Sequence, residues 1–128
     1  TVKAALQRMV ENNSGVIINI TSVLGIVPRI GLSVNSACAA AAMSLIKVWA
    51  LELDKTNIRL HTIARGEYED ESYLKDEAAI SHQSVKRAVT PEDVAQAVLF
   101  LCSPGAEMQN GEITVVSGGI DYGYMRTF

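Results

Sequence analysis

Residues 14–25 read SGVIINITSVLG, and this stretch decides the fold class. Its apolar part, VIINI at residues 16–20, is short, rich in β-branched side chains and nearly continuous, which is typical of a strand covered on both faces. Residues 1–11, upstream of it, carry apolar side chains at helical spacing, and residues 12–15 (NNSG) supply turn chemistry between the two segments. A helix followed by a doubly buried strand indicates an α/β protein with a parallel sheet.

The alternation of helix and strand continues toward the C-terminus. Residues 34–53 predict a long helix whose many small side chains let another backbone approach, so we expect it to be buried or at an interface. Residues 58–64 and 113–116 predict two further strands, and residues 67–86 predict a polar surface excursion with short helices. Residues 90–93 (TPED) combine a cap residue, a proline and two acids, which predicts a helix running to about residue 102. We therefore expect a single domain over residues 1–128, with parallel strands joined by right-handed helical crossovers.

The composition argues against several classes of partner. The net charge of -3 over 128 residues gives no electrostatic reason to expect nucleic acid or an anionic membrane surface. Charged residues interrupt every apolar run before the roughly 18 residues that span a bilayer, and no secretory signal is visible. We expect a cytoplasmic protein.

The cysteines and histidines predict neither a disulfide nor a metal site. Cys38 and Cys102 lie in apolar, helix-like surroundings without CxxC spacing, so we expect two buried free thiols. His61 falls in a predicted strand, where it is expected to pack with a satisfied hydrogen bond, and His82 falls in the polar excursion, where it is expected to be solvated. Two distant histidines without clustered acids make a poor metal site.

Several segments, taken together in this order and spacing, resemble the C-terminal half of the short-chain dehydrogenase/reductase family. Residues 14–25 resemble the family's fifth strand with its catalytic serine, and residues 50–53 and 57–61 resemble the next helix and strand. Residues 90–95, 100–103, 110–111 and 118–119 resemble its C-terminal signature. The resemblance covers essentially the whole chain. It implies the C-terminal half of a doubly wound, Rossmann-like parallel sheet, about three strands with flanking helices, and hydride transfer between NAD(P) and an alcohol or carbonyl.

The resemblance also implies a catalytic set that this chain does not keep. In the family a tyrosine exchanges a proton with the substrate oxygen, a lysine four residues later lowers the pKa of that hydroxyl and holds the nicotinamide ribose, and a serine orients the substrate. Such help is needed because an unassisted phenol, with a pKa of about 10, is a poor base at neutral pH. Ser22 stands at the serine position, but Asn35 stands at the tyrosine position and Ala39 at the lysine position. Lys47, the nearest basic residue, lies two turns further along the helix and on a different face.

The cofactor-binding site implied by the resemblance is also incomplete. The family's Pro-Gly after the sixth strand reads Arg65-Gly66 here. In the family, the Gly-rich loop that binds the pyrophosphate and the residue that contacts the ribose belong to the N-terminal dinucleotide-binding half, which we expect this domain to lack. We expect no intact catalytic or cofactor-binding site in this chain, and NAD(P) in an active partner subunit.

The remaining candidate residues have more ordinary interpretations. Ser22 without a base is an unactivated alcohol and is expected to make a loop hydrogen bond. Asn35 is expected to cap the helix that starts near it rather than to replace the tyrosine as a donor. Arg65 is expected to be a surface arginine, although an anionic ligand or a partner carboxylate is the alternative. The aromatic tail at residues 122–128 is expected to pack, and in this family such tails often reach a neighbouring subunit.

The leading functional hypothesis is a non-catalytic subunit that stabilises or regulates an active NAD(P)-dependent dehydrogenase in a hetero-oligomer. The resemblance implies contact through helices 1–11 and 34–53 and through the last helix and strand. Heteromeric family members, such as the hydroxybenzylsuccinyl-CoA dehydrogenase of anaerobic toluene breakdown, are the precedent. Two alternatives remain open: a part of a longer enzyme that uses Ser22 with Asn35 for altered chemistry, and a small-molecule binding module between Ser22, Asn35 and Arg65.

Overall fold

A computed structural model describes residues 2–67 and 83–119. The predicted elements are present with boundaries shifted by one or two residues: α1 (Val2–Glu11), β1 (Gly15–Ser22), α2 (Ser33–Glu52), β2 (Ile58–Arg65), α3 (Pro91–Cys102) and β3 (Ile113–Val116). Single 3₁₀ turns follow β1 (Val23–Gly25) and α3 (Pro104–Ala106). Most of the expected excursion at residues 67–86, His82, and the tail at residues 122–128 lie outside the described residues.

The three strands form one parallel sheet in the order β1-β2-β3. Gly15 pairs with Ile58 and Ser22 with Arg65, while Arg65 pairs with Val116 on its other side. This register confirms the predicted α/β class. It also places Ser22 and Arg65 in one row at the carboxyl end of the sheet.

The sheet is packed on both faces by helices. On one face, Ile46 and Ala50 of α2 lie against Ile58 and Leu60 of β2, with α1 contributing partly buried side chains. On the other face, Ile63 of β2 packs with a cluster from α3 and its flanking segments: Val89, Val94, Leu101 and Ala106. Complete burial of side chains such as Leu60, Ile63 and Leu101 stabilises the domain by about 1.5–3 kcal/mol each.

The expectation that residues 16–20 are covered on both faces is met only in part, since Ile17 packs against the α2 cluster and Ile18 against the α3 cluster. The residues of β1 are only partly buried, and the side chain of Ile20 is 50% exposed. Among the described strands β1 lies at one edge of the sheet, whereas the central strand β2 is almost entirely buried. Position in the sheet, rather than the apolar run itself, therefore decides the burial.

Helix α2 is buried along one stripe and exposed along another. Its inner stripe packs on the sheet and on the 3₁₀ turn, where a Cβ at Gly25 would lie 2.7 Å from the backbone nitrogen of Ala40. The predicted close backbone approach is thus confirmed at Gly25. Its outer stripe is apolar but exposed, with Val34, Leu45 and Val48 as its large members.

Two sequence expectations fail because of this two-sided apolar pattern. By length and composition α2 could cross a membrane, so the expectation that no segment qualifies is wrong, although five of its residues are buried in the fold. The expectation of buried cysteines was also wrong. Cys38 lies on the outer side of α2, and Cys102 ends α3 and is exposed; both are free thiols.

Candidate functional site at the carboxyl end of the sheet

Ser22 ends β1 at the edge where parallel sheets usually bind ligands. Its hydroxyl oxygen accepts a hydrogen bond from the backbone N–H of Leu24 at 3.1 Å and so caps the 3₁₀ turn that follows. This confirms the expected loop hydrogen bond. The serine oxygen therefore supports the backbone at the point where the chain leaves the sheet.

Asn35 does not cap α2. The helix begins at Ser33, so Asn35 is already its third residue, and its side chain is exposed. The residue preceding the helix is Leu32, which offers no side-chain cap. The expected capping role was wrong because the preceding turn starts the helix two residues earlier than the amide side chain suggests.

Ala39 lies one turn after Asn35, on the inner side of α2. Its side chain is 5% exposed and is buried beneath the 3₁₀ turn, with its backbone carbonyl carbon 2.9 Å from where a Cβ of Gly25 would lie. A methyl group here offers no hydrogen bond. Lys47 is exposed, in keeping with its different helix face, so α2 does not bring that ammonium to the position of Ala39.

Arg65 and Gly66 close the end of β2. Arg65 is half-buried, and its guanidinium donates to the carbonyl oxygen of Gly66 at 2.8 Å. The N–H of Gly66 donates to the carbonyl oxygen of Val116 at 2.8 Å, which extends the pairing of β2 with β3. A Cβ on Gly66 would lie 3.0 Å from Ser117 and Val89, so this corner is tightly packed.

An ion pair between Arg29 and Glu67 joins this corner to the loop before α2, and the sequence analysis missed it. The Glu67 side chain is 1% exposed and the Arg29 side chain is 14% exposed. The second carboxylate oxygen, Oε2, is buried without a hydrogen-bond partner in the described structure. No local pattern connects residues that are 38 positions apart, so sequence spacing carried no signal for this pair.

His61 lies away from this corner, on the face of β2 that packs against α3. It is fully buried, as expected, and Arg59 Nη1 lies 3.1 Å from its Nε2. Because a guanidinium only donates, this contact is a hydrogen bond only in the tautomer whose Nε2 is unprotonated. Burial, and secondarily the charge of Arg59, lower the pKa of His61, while Glu112 opposes them. The expected satisfied hydrogen bond is met at Nε2 only, since Nδ1 has no partner in the described structure.

Comparison with known proteins identifies the family. A family model described as enoyl-(acyl carrier protein) reductase matches residues 1–121. The chain belongs to the short-chain dehydrogenase/reductase family. Within the described residues, no group of three His, Cys, Asp or Glu side chains is placed to hold a metal ion.

Individual short-chain dehydrogenases show the same relationship. The chain is 34% identical to the 7α-hydroxysteroid dehydrogenase of Escherichia coli strain K12, over 87% of this chain and 46% of that protein. It is 33% identical to a 3-oxoacyl-(acyl-carrier-protein) reductase of Thermotoga maritima, over 88% of this chain and 48% of that protein. A solved 7α-hydroxysteroid dehydrogenase, in complex with NADH and 7-oxo glycochenodeoxycholic acid, superimposes with a TM-score of 0.83 at 32% identity, covering 92% of this chain and 49% of that one. The chain thus spans about half the length of the curated relatives it matches.

The residues at the family's cofactor positions do not fit NAD(P) in the way the resemblance implies. Ala39, at the position that holds the nicotinamide ribose, has no donor and is buried under Gly25. Arg65 replaces the proline of the Pro-Gly pair, and its guanidinium is turned onto the carbonyl oxygen of Gly66.

Proposed function

We propose that this chain is a non-catalytic short-chain-dehydrogenase-like subunit that stabilises or regulates an active NAD(P)-dependent partner of the same family. A heteromeric enzyme such as hydroxybenzylsuccinyl-CoA dehydrogenase is the type of assembly we have in mind. The partner carries the cofactor and the chemistry. This chain contributes a folded surface, acts without metal, nucleic acid or membrane, and works in the cytoplasm.

One observation carries the proposal: the helix that should supply the proton relay supplies none. Asn35 has no proton that titrates in the accessible range, and Ala39 has no donor. Ser22 already accepts the N–H of Leu24. A phenol needs a nearby ammonium to act as a base near neutral pH, and here both groups are replaced.

The same helix supplies the second support, an exposed apolar stripe. Val34, Leu45 and Val48 are 71%, 46% and 50% exposed and share one helical face, because they are eleven and three positions apart. Small side chains, Cys38 and Ala41, fill the stripe between them and would allow another helix to come close. An exposed stripe of this kind on a folded domain favours a protein partner.

Helix α1 extends this apolar surface. A cleft of about 260 Å³ separates α1 from the end of α2, and most of its lining is apolar: Val2, Leu6, Ile17, Trp49, Leu53 and Leu60. Lys3 and Glu52 complete the lining. A partner helix pair with complementary apolar side chains would fill this cleft and cover the stripe together.

Native mass spectrometry of the protein purified from its natural source tests the proposal. We expect co-purification with a second, intact short-chain dehydrogenase, and NAD(P) bound in proportion to the partner. A stable soluble monomer, or a homo-oligomer that carries NAD(P), contradicts it. Bound NAD(P) with a mass larger than that of this sequence favours the alternative of a longer enzyme with altered chemistry, and a ligand-induced rise in melting temperature without turnover favours the binding module.

Substitution of the outer stripe locates the surface. Leu45→Glu with Val48→Glu places two charges on the stripe, so it should abolish association with the partner while the melting temperature stays within a few degrees. Ile30→Glu is the matched control, because Ile30 is fully exposed and lies before α2, outside the stripe and outside the last helix and strand. Equal loss of association in both variants contradicts the assignment of the stripe.

A further inference from the structure

The start of α2 lacks the usual means of helix initiation. Leu32 precedes the helix without a side-chain hydrogen bond, and the first turn contains no acidic residue. The first N–H groups of a helix have no partner within it, so capping side chains normally stabilise this end. The N–H groups at this end are therefore left to water or to contacts from outside the helix.

The chain enters α2 through a tight turn at residues 29–32. The N–H of Leu32 donates to the carbonyl oxygen of Arg29 at 3.1 Å, and Gly31, with φ of +83°, has the left-handed conformation that the third position of a type II turn requires. Leu32 then accepts from the N–H of Ser36 at 2.9 Å. Ile30, at the tip of the turn, is fully exposed and adds no packing. The position of this turn therefore sets where α2 begins.

The side chain of Arg29 ties the turn to the sheet. Its partner Glu67 follows β2 directly, and the carbonyl oxygen of Glu67 accepts from the N–H of Val89 at 3.1 Å. Gly66, beside it, is packed against Ser117 and Val89. The carboxylate is thus anchored on a rigid corner, and an almost completely buried carboxylate is tolerated only when it is paired.

We infer that the Arg29–Glu67 ion pair is a clasp that holds the turn at residues 29–32, and with it the first turn of α2, against the carboxyl end of the sheet. The clasp replaces the missing helix cap by an attachment to the end of β2. It also fixes Val34, the first large member of the outer stripe, because that residue lies in the first turn of α2. The inference concerns the chain's own order and holds whether or not a partner subunit is present.

Site-resolved hydrogen exchange on the full chain, in whatever assembly it forms, tests the clasp. Arg29→Gln and Glu67→Gln each remove one charge of the pair. Amides of residues 32–38 should then exchange roughly tenfold faster or more, because breaking a buried ion pair is strongly destabilising at the place where the pair lies. Amides of α3 and β3 should keep their protection. Arg87→Gln is the matched control, since Arg87 pairs with Asp93 at the surface with its own side chain 56% exposed, and it should leave residues 32–38 unchanged.

Two results overturn the inference. One is unchanged exchange at residues 32–38 in both variants, and the other is an equal acceleration across the whole domain, which would make the pair a general stabiliser. If one of these two variants fails to fold, the other decides the test. Arg29→Lys keeps the charge and should therefore retain more protection at residues 32–38 than Arg29→Gln, and equal exchange in these two variants would contradict the clasp.

Discussion

The side-chain oxygen of Asn110 accepts a hydrogen bond from the backbone N–H of Leu60 at 2.9 Å. The N–H of Gly111 returns a hydrogen bond to the carbonyl oxygen of Leu60 at 2.7 Å. Strand pairing between β2 and β3 begins only at Thr62 and Ile113, so these two contacts extend the attachment of β2 toward its N-terminal end. The Asn-Gly pair that resembled a family signature thus has a definite structural task.

Asn110→Ala should destabilise the domain by about 1–3 kcal/mol, because it leaves the N–H of the fully buried Leu60 without an acceptor. Urea unfolding followed by circular dichroism measures the change as a lower midpoint at unchanged slope. Asn12→Ala is the control, since Asn12 is exposed in the turn after α1 and should change the midpoint little. Equal changes in the midpoint of the two variants would show that the contact between Asn110 and Leu60 does not stabilise the domain.

Arg59→Met should destabilise the domain by about 2–4 kcal/mol, because one guanidinium donates to three carbonyl oxygens in the last turn of α3 and just after it. Nη1 lies 2.9 Å from the carbonyl oxygen of Leu101 and 3.0 Å from that of Ala106, and Nη2 lies 3.4 Å from that of Ser103. The stability of Arg59→Lys should lie between that of Arg59→Met and that of the unchanged protein, since an ammonium cannot reproduce the planar fork of a guanidinium. Urea unfolding measures these changes in stability. A loss of stability no larger than that caused by Arg8→Met, at an exposed position, would contradict this role of Arg59.

Thr90→Ala should cost about 1 kcal/mol of stability through loss of the helix cap. The hydroxyl of Thr90 accepts from the N–H of Asp93 at 3.3 Å, and the Asp93 carboxylate accepts from the N–H of Thr90 at 2.8 Å. Thr90→Ser keeps the oxygen and should keep most of the stability. If the serine variant unfolds as early as the alanine variant, the methyl group rather than the cap is responsible.

This capping box shows which features the sequence could predict. All its groups lie within residues 90–93, so a local pattern contains the whole interaction. The same holds for the strands, whose apolar runs depend only on neighbouring residues, and for the serine that ends β1. The order of elements and the parallel sheet followed from these local signals.

The features that failed depend on distant contacts. Arg29 and Glu67 meet only because β2 ends beside the loop before α2, and nothing in either segment encodes that meeting. Cys38 was expected to be buried because α2 is apolar on both sides, so its pattern does not reveal which side faces the sheet. Asn35 was expected to cap α2, but the turn around Gly31 fixes the helix start.

His61 should make the stability of the domain depend on pH. Its pKa is lowered from 6.5, first by burial and then by Arg59, while Glu112 acts in the opposite direction. The unfolded chain therefore takes up the proton at a higher pH than the folded one. The stability that depends on a neutral His61 is therefore fully present above pH 6.5. As the pH falls below 6.5, the free energy of unfolding decreases by at most about 1.4 kcal/mol per pH unit.

The measurement compares the free energy of unfolding at pH 7.5 and 5.5 in a His82→Ala background, where His61 is the single remaining histidine. His61→Gln keeps an acceptor for Arg59 but does not titrate, so its stability should change less between these two pH values than that of the background protein. Carboxylates that do not interact with His61 contribute equally to both proteins and cancel in the difference. Identical pH dependence in the two would mean that His61 keeps the same pKa on folding, in conflict with a fully buried imidazole beside a guanidinium.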